Sequence, residues 1–402
     1  MPVATLRQGK NFAVLRRKIL VILSRIPYPL EKGDKLRAFY QLRELAQNHD
    51  LVVCALSDSP PEEKAYDILG AFCKELHFFR LGKTGIARRL VTAFFARKPF
   101  QVAYFHSKSI HRSISQIIRE HQPDHIYCQL IRTAEYARHS HTHKTLDYQD
   151  AFSVNLQRRL LSAAWHLRPL LQMEQKRVRR YESEIFECFD NKTIISYPDR
   201  EGIDHPGRNQ ITVVPNGVDF AFFRPMERQK DYDIVFTGNM AYPPNVDGAE
   251  FLAREIMPHV WEELPGAKLV LAGATPSRKV RALAGPLVRV TGWVDDIRDY
   301  YARSKVFVAP MQIGSGLQNK VLEAMAMQVP CITSPLANKA LMAEDGRDIL
   351  IGTKAGEYAQ LILSLLKNEA RRTELGKQGH SFVYQHFNWE NTCKTLESVI
   401  TA

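Results

Sequence analysis

The stretch KVFVAPMQIGSGLQNKVLEAMAMQVPCITSP, residues 305–335, reads as one unit of a parallel α/β fold. KVFVAP (305–310) is a short apolar run closed by proline, as expected of a strand buried on both faces. A glycine-bearing loop follows, then a helix pattern through LEAMA, then a second strand, PCITSP (330–335). Strand, helix and strand in this order imply a right-handed crossover between parallel neighbours.

The same rhythm extends outward in both directions. Strands are expected at 231–238, 267–273, 288–294 and 347–352, with helices between them opened by Asn245, Ser277 and Asp295–Asp296 as caps. The first half repeats the pattern, with strands at 18–24, 51–57 and 123–130 and an apolar stretch from His77. A further strand over 145–152 runs into a loop. Helices are expected over 35–48, with Leu36, Phe39, Leu42 and Leu45 on one face, and over 62–75. Periodicity breaks at VVPNGVDFAFFRP (213–225), where a Pro-Asn-Gly turn and a second proline fall. The expectation is an α/β chain of two Rossmann-like domains facing each other across a cleft. Residues 1–215 form one domain and 216–385 the other, and a last helix, 386–402, packs back on the first.

A chain of 402 residues with 45% hydrophobic and 24% charged residues can bury two cores and is not a disordered protein. Its apolar runs, such as Ile19 to Leu23, fall far short of the ~18 residues of a spanning helix. Arg25 and Pro27 follow that run at once, so no secretory leader is expected. Six cysteines without a C-x-x-C pair fit reduced thiols in a cytoplasmic protein. Charge is uneven. Residues 1–215 hold 34 Lys and Arg against 22 Asp and Glu, whereas 216–402 hold 21 of each. A basic first half attracts something anionic. No helix-turn-helix, zinc or RNA-binding signature accompanies the charge, so nucleic acid is excluded as the partner.

The basic excess is concentrated in residues 76–119, which contain nine Lys and Arg and not one Asp or Glu. Leu90, Val91, Phe94 and Phe95 recur at helical spacing beside Arg88, Arg89, Arg97 and Lys98. An interfacial helix on an anionic membrane surface has this pattern.

The chemistry concentrates in the loop and helix after 305–310. Gly314 and Gly316 can present backbone N–H groups to a ligand without a Cβ in the way. Lys320 lies in the first turns of the helix that follows, whose N-terminal dipole favours an anion. Glu323, one turn on, can accept from a pair of ribose hydroxyls. Together they describe a site for a nucleotide diphosphate. A dinucleotide fingerprint is disfavoured, because Asn319 replaces the third glycine and no acidic residue ends the next strand. Glycines also end the strands at Gly238, before Asn239, and at Gly273, where open α/β sheets place ligands.

The runs GSGLQNKVLEAMAM, VVPNGVDFAFFRP, FTGNMAYPPNVDG and VTGWVDDIRDYYARSKVFVAP together resemble glycosyltransferase family 4, with closest likeness to bacterial exopolysaccharide and exosortase-associated sugar transferases. The resemblance implies a GT-B fold, a nucleotide-sugar donor on the C-terminal domain, an acceptor on the N-terminal domain, and transfer with retention. Glu323 matches the second Glu of the family's E-x7-E motif and is expected on the donor ribose. Ser315 stands where the first Glu would be. Backbone around Gly316, Leu317 and Gln318 would meet diphosphate and sugar. The family's usual basic pair after the first C-terminal strand is absent, which leaves Lys320 to neutralise the diphosphate. Gly33, in the loop after the first strand, is expected near a sugar, followed by Asp34, Lys35 and Arg37. Gln129, with Arg132 nearby, replaces a His found in relatives. Asp147 and Asp150 match an acidic cluster and are expected to face the acceptor hydroxyl.

No metal and no cofactor is expected in catalysis. Asp231 and Asp233 have Asp-x-Asp spacing but precede a strand, and Asp295–Asp296 reads as a cap. The leading expectation is a cytoplasmic, membrane-associated glycosyltransferase acting on a lipid-linked saccharide. The alternative is a non-catalytic subunit that binds sugar nucleotides.

Overall fold

The computed structural model describes residues 16–30, 32–313 and 316–402. Seven strands build the first sheet: β1 (Lys18–Leu23), β2 (Asp50–Ser57), β3 (Glu75–Arg80), β4 (His125–Gln129), β5 (Lys144–Asp147), β6 (Asn191–Ile194) and β7 (Thr212–Val213), in the order β3-β2-β1-β4-β5-β6-β7. Six build the second: β8 (Tyr232–Thr237), β9 (Leu269–Ala272), β10 (Val288–Val290), β11 (Ser304–Ala309), β12 (Cys331–Thr333) and β13 (Leu350–Ile351), in the order β10-β9-β8-β11-β12-β13. Parallel pairing joins β1 to β2 and β4, and β8 to β9 and β11. Both sheets are doubly wound, with helices in the crossovers, so the chain carries two Rossmann-like domains.

The central strands are continuous apolar runs because both faces are covered: Ile19 to Leu23 and Phe307 to Ala309 have no exposed surface. Contacts divide the chain into two compact units, 1–147 with 187–191, and 148–186 with 192–402.

Several expected elements shorten or shift. The strand expected over 288–294 ends at Val290, and that over 347–352 is only Leu350–Ile351. Ahead of the second, residues 345–349 form a loop whose Asp345 carboxylate accepts from the Ile351 N–H inside the strand at 3.0 Å. The helix Glu63–Gly70 stops short of 75 because Glu75 belongs to β3. Ser277 and Asp296 do cap helices, each accepting from a backbone N–H in the first turn. Asn245 does not. It lies inside the helix Pro243–Phe251, and Tyr242 holds the capping position.

Candidate donor site on the second sheet

The site is built at the carboxyl ends of β8, β9 and β11. Gly238 and Gly273 end β8 and β9 at φ +150° and +141°, where side chains are rarely tolerated. A Cβ on Gly273 would stand 2.0 Å from the Gly238 carbonyl oxygen, and one on Gly238 would stand 2.7 Å from Nδ2 of Asn245. Glycine at 273 thus lets the two strand ends close on each other, and glycine at 238 makes room for the Asn245 side chain. Asn239 follows, exposed, with its side-chain oxygen accepting from the N–H of Ala241 at 3.0 Å.

Asn245 ties this corner to the helix Asn319–Ala326. Its Nδ2 donates to the Asn239 carbonyl at 2.9 Å, and its Oδ1 accepts from Nζ of Lys320. Lys320 also lies 3.6 Å from Sδ of Met311 and 4.7 Å from the Phe236 ring centroid. Burial pushes its pKa down to about 7, only partly opposed by the nearby Glu323 carboxylate. On the same helix, Glu323 accepts from the Tyr301 hydroxyl at 3.0 Å, and that hydroxyl lies 2.8 Å from Oγ1 of Thr237. Burial raises the Glu323 pKa, against the lowering effects of the Tyr301 hydrogen bond and the Lys320 charge.

Cation and carboxylate therefore each rest on neutral partners, and no ion pair joins them among the described residues. The helix begins at Asn319, with Gln318 in the capping position but no side-chain cap, so its first N–H groups are available to an anion. Gln318 donates to the Gly316 carbonyl at 2.9 Å, and Leu317 packs against the core. Nothing stands within 4 Å of a Cβ built on Gly316, so no crowding demands glycine there. Gly314 and Ser315 lie outside the described residues.

Sequence reading missed Asn245, Tyr301, Thr237 and Met311 as site residues. Asn245 had a signal, its place between two prolines and a glycine, but it was read as a cap. Tyr301 carried none, because an aromatic at helical spacing reads as core.

On the first sheet the expected residues do not gather into a comparable site. Gly33 is the exposed first residue of the helix Gly33–Asn48, with open space where a Cβ would go. Asp34 pairs with Arg25, and Lys35 donates to the Tyr28 carbonyl at 3.3 Å. Gln129 is buried and donates to the Asp34 carbonyl at 3.0 Å. Arg132 donates to Gln101 at 3.1 Å. Asp147 corrects its expectation. It is 0% exposed and accepts from Nε and Nη2 of Arg37 at 2.7 and 3.1 Å, and from the Tyr127 hydroxyl at 3.0 Å. A carboxylate enclosed in this way braces the domain and has no surface to offer an acceptor. Asp150 is half-buried and accepts from Nδ2 of Asn155 at 3.0 Å. Asp231 and Asp233 pair with Arg303 and Lys305 rather than with each other's neighbourhood as an acidic pair.

Residues 231–368 match a family model described as Glycosyl transferases group 1. Over 393 residues, 92% of this chain and 96% of the relative, the chain is 21% identical to an uncharacterized 44.6 kDa protein in the cps region of Klebsiella pneumoniae. It is 31% identical over 136 residues to the lipopolysaccharide core biosynthesis glycosyltransferase LpsE of Rhizobium meliloti, covering 32% of this chain and 39% of LpsE. Among solved structures, Anabaena HepE in complex with UDP-glucose superposes with a TM-score of 0.67 at 12% identity, over 96% of this chain and 100% of that one. Residues 231–368 thus match a group 1 glycosyl transferase domain, and the chain as a whole shares the GT-B fold of glycosyltransferase structures.

Proposed function

We propose that the protein is a retaining family 4 transferase that moves a sugar from a nucleotide diphosphate-sugar to a lipid-linked saccharide in exopolysaccharide assembly. The observation that carries the reading is the placement of Lys320 and Glu323 on one helix, each held by neutral partners beside the Gly238–Gly273 corner. Lys320 Nζ and the free N–H groups of its helix would take the diphosphate, and Glu323 the ribose hydroxyls. As the glycosidic bond to the diphosphate breaks, negative charge grows on the leaving oxygen, and preorganised donors stabilise it there. Metal is not required in this scheme, since Asp231 and Asp233 are already neutralised by Arg303 and Lys305. The HepE complex makes UDP-sugars the first donors to try, and the cps-region and LpsE relatives favour a cell-surface saccharide acceptor. The domain division at 215/216 belongs to this proposal, with the donor on the second domain.

The same reading places the enzyme on the cytoplasmic face of an anionic membrane. No helix among the described residues is long and apolar enough to cross one. On the helix Lys83–Phe95 and just after it, Val91, Phe94 and Phe95 are 61%, 50% and 78% exposed beside exposed Arg88, Arg97 and Lys98. These apolar side chains do not fill the core, although Phe105 in the same basic segment does. Arg89, grouped with the exposed cations from sequence, instead donates to the carbonyls of Ala103 and Tyr104 at 3.1 and 2.9 Å.

A thermal-shift panel of nucleotide sugars tests the function. A donor at about 100 times its Kd adds roughly 2.7 kcal/mol of stability, and its slow hydrolysis should continue in excess chelator. A panel in which no nucleotide sugar shifts the midpoint would sink the reading.

A further inference from the structure

The first unit holds a cluster that the donor chemistry leaves unused. Glu75 and His77 lie two apart on β3, on one face of an edge strand, and His121 ends the helix Lys108–His121. Nε2 of His77 is 2.7 Å from one Glu75 oxygen, and Nε2 of His121 is 3.4 Å from the other. Three donor atoms, all half-buried, thus lie within 4.8 Å of one another.

Two features argue that this is more than a surface ion pair. Nε2 of His77 is shielded from solvent and makes no hydrogen bond among the described residues, despite the close carboxylate. An imidazole nitrogen so placed has an unspent lone pair or proton, which costs free energy when buried. The helix end that supplies His121 is also pinned, because Nζ of Lys18 donates to the His121 carbonyl at 2.7 Å. The donors therefore come from two separately anchored elements, β3 and the helix Lys108–His121.

We infer that Glu75, His77 and His121 bind a divalent cation of borderline softness, Zn²⁺ being the best fit. Two imidazoles and one carboxylate are a recognised zinc set, with water completing the coordination. Zinc at ~2.0–2.2 Å from each donor would replace the unsatisfied contact at His77 with a bond. The location gives the consequence. Glu75 opens β3 and Lys18 opens β1, so the site lies at the amino-terminal ends of the strands, away from the ends where α/β sheets hold substrates. The metal would staple the edge strand β3 to the helix Lys108–His121 and stabilise the domain. This inference is independent of the donor site.

The test uses the untagged full chain, stripped of metal, with Zn²⁺ added in competition with a chromophoric chelator. The chain has 14 histidines, so variants must locate the binding. Wild type should take up one equivalent and unfold at a higher temperature with Zn²⁺ than without. His77→Ala and His121→Ala should each weaken uptake by at least about tenfold and abolish the thermal shift. Glu75→Gln, which keeps the side chain's size, should do the same. The circular dichroism spectrum and the metal-free unfolding midpoint report that each variant is folded. Equal zinc uptake by wild type and the His77→Ala/His121→Ala double variant would overturn the inference, as would no uptake by wild type.

Discussion

Asp147 and Glu323 are carboxylates that sequence reading expected at the acceptor hydroxyl and at the donor ribose, and their surroundings are opposite. Asp147 is sealed in the first sheet, with its charge balanced by the Arg37 guanidinium through two contacts and a further hydrogen bond accepted from the Tyr127 hydroxyl. Glu323 sits near a lysine without pairing to it, held by the Tyr301 hydroxyl, while Lys320 leans on Asn245. A brace satisfies its charge internally. In the proposed donor site both charges are propped on neutral groups, so that a diphosphate would compensate Lys320 and ribose hydroxyls would donate to Glu323. The cost of that arrangement shows in the displaced pKa values of Lys320 and Glu323.

The comparison breaks first at Asp147. Replacing it with Ala removes the carboxylate that the buried Arg37 guanidinium contacts through Nε and Nη2, which costs about 3–5 kcal/mol, and denaturant unfolding should record that loss. Nucleotide affinity of the folded fraction should not change. A loss below about 1 kcal/mol would mean that Arg37 finds other partners and that the brace is unimportant.

Glu323→Ala and Lys320→Ala should behave in the reverse sense. Hydrogen bonds to charged groups contribute ~1.5–3 kcal/mol, so titration calorimetry should show nucleotide diphosphate binding weakened roughly ten- to a hundredfold. Lys320→Ala should spare a nucleoside monophosphate relative to the diphosphate. Normal diphosphate binding by both folded variants would remove the site assignment.

The lysine also predicts a pH dependence whose sign can be worked out. A lysine lowered to about 7 is charged below that pH and neutral above it. Nucleotide-sugar affinity should hold below pH 7 and fall above it, by up to about tenfold per pH unit, with proton uptake on binding. Lys320→Met should flatten the profile; an unchanged slope in that variant would place the titrating group elsewhere. For stability, the unfolded lysine titrates near ~10.4. Between about 7 and that value the unfolded chain carries the extra proton, so this group makes stability rise with pH there.

The smallest effect per residue belongs to the exposed basic helix. Each cation near an anionic surface contributes about 1 kcal/mol. Changing Arg88, Arg97 and Lys98 together to Glu should release the protein from anionic vesicles in flotation, as should 1 M salt, where the Debye length is ~3 Å. Arg89 is left intact because it holds Ala103 and Tyr104. Equal flotation with neutral and anionic vesicles would defeat membrane docking through this face.

What the amino-acid order determined by itself was the alternation of strands and helices, the glycines at the ends of β8 and β9, and the place of Lys320 and Glu323 on one helix. These are local properties: side-chain period, backbone freedom and spacing along a single element. Burial and partnership are not local, and the tertiary structure alone decided them. Asp147 looked like a site residue because nothing in LDYQD reveals that Arg37, 110 residues earlier, reaches it. Asn245 looked like a cap because its partners, Asn239 and Lys320, meet only when the ends of β8 and β11 are brought side by side. In the run Val91 to Phe105 every aromatic looked alike, and packing sent Phe105 inward while leaving Phe94 and Phe95 in solvent. The physical reason is the same in each case: a side chain's free energy depends on what surrounds it, and those neighbours come from distant parts of the chain.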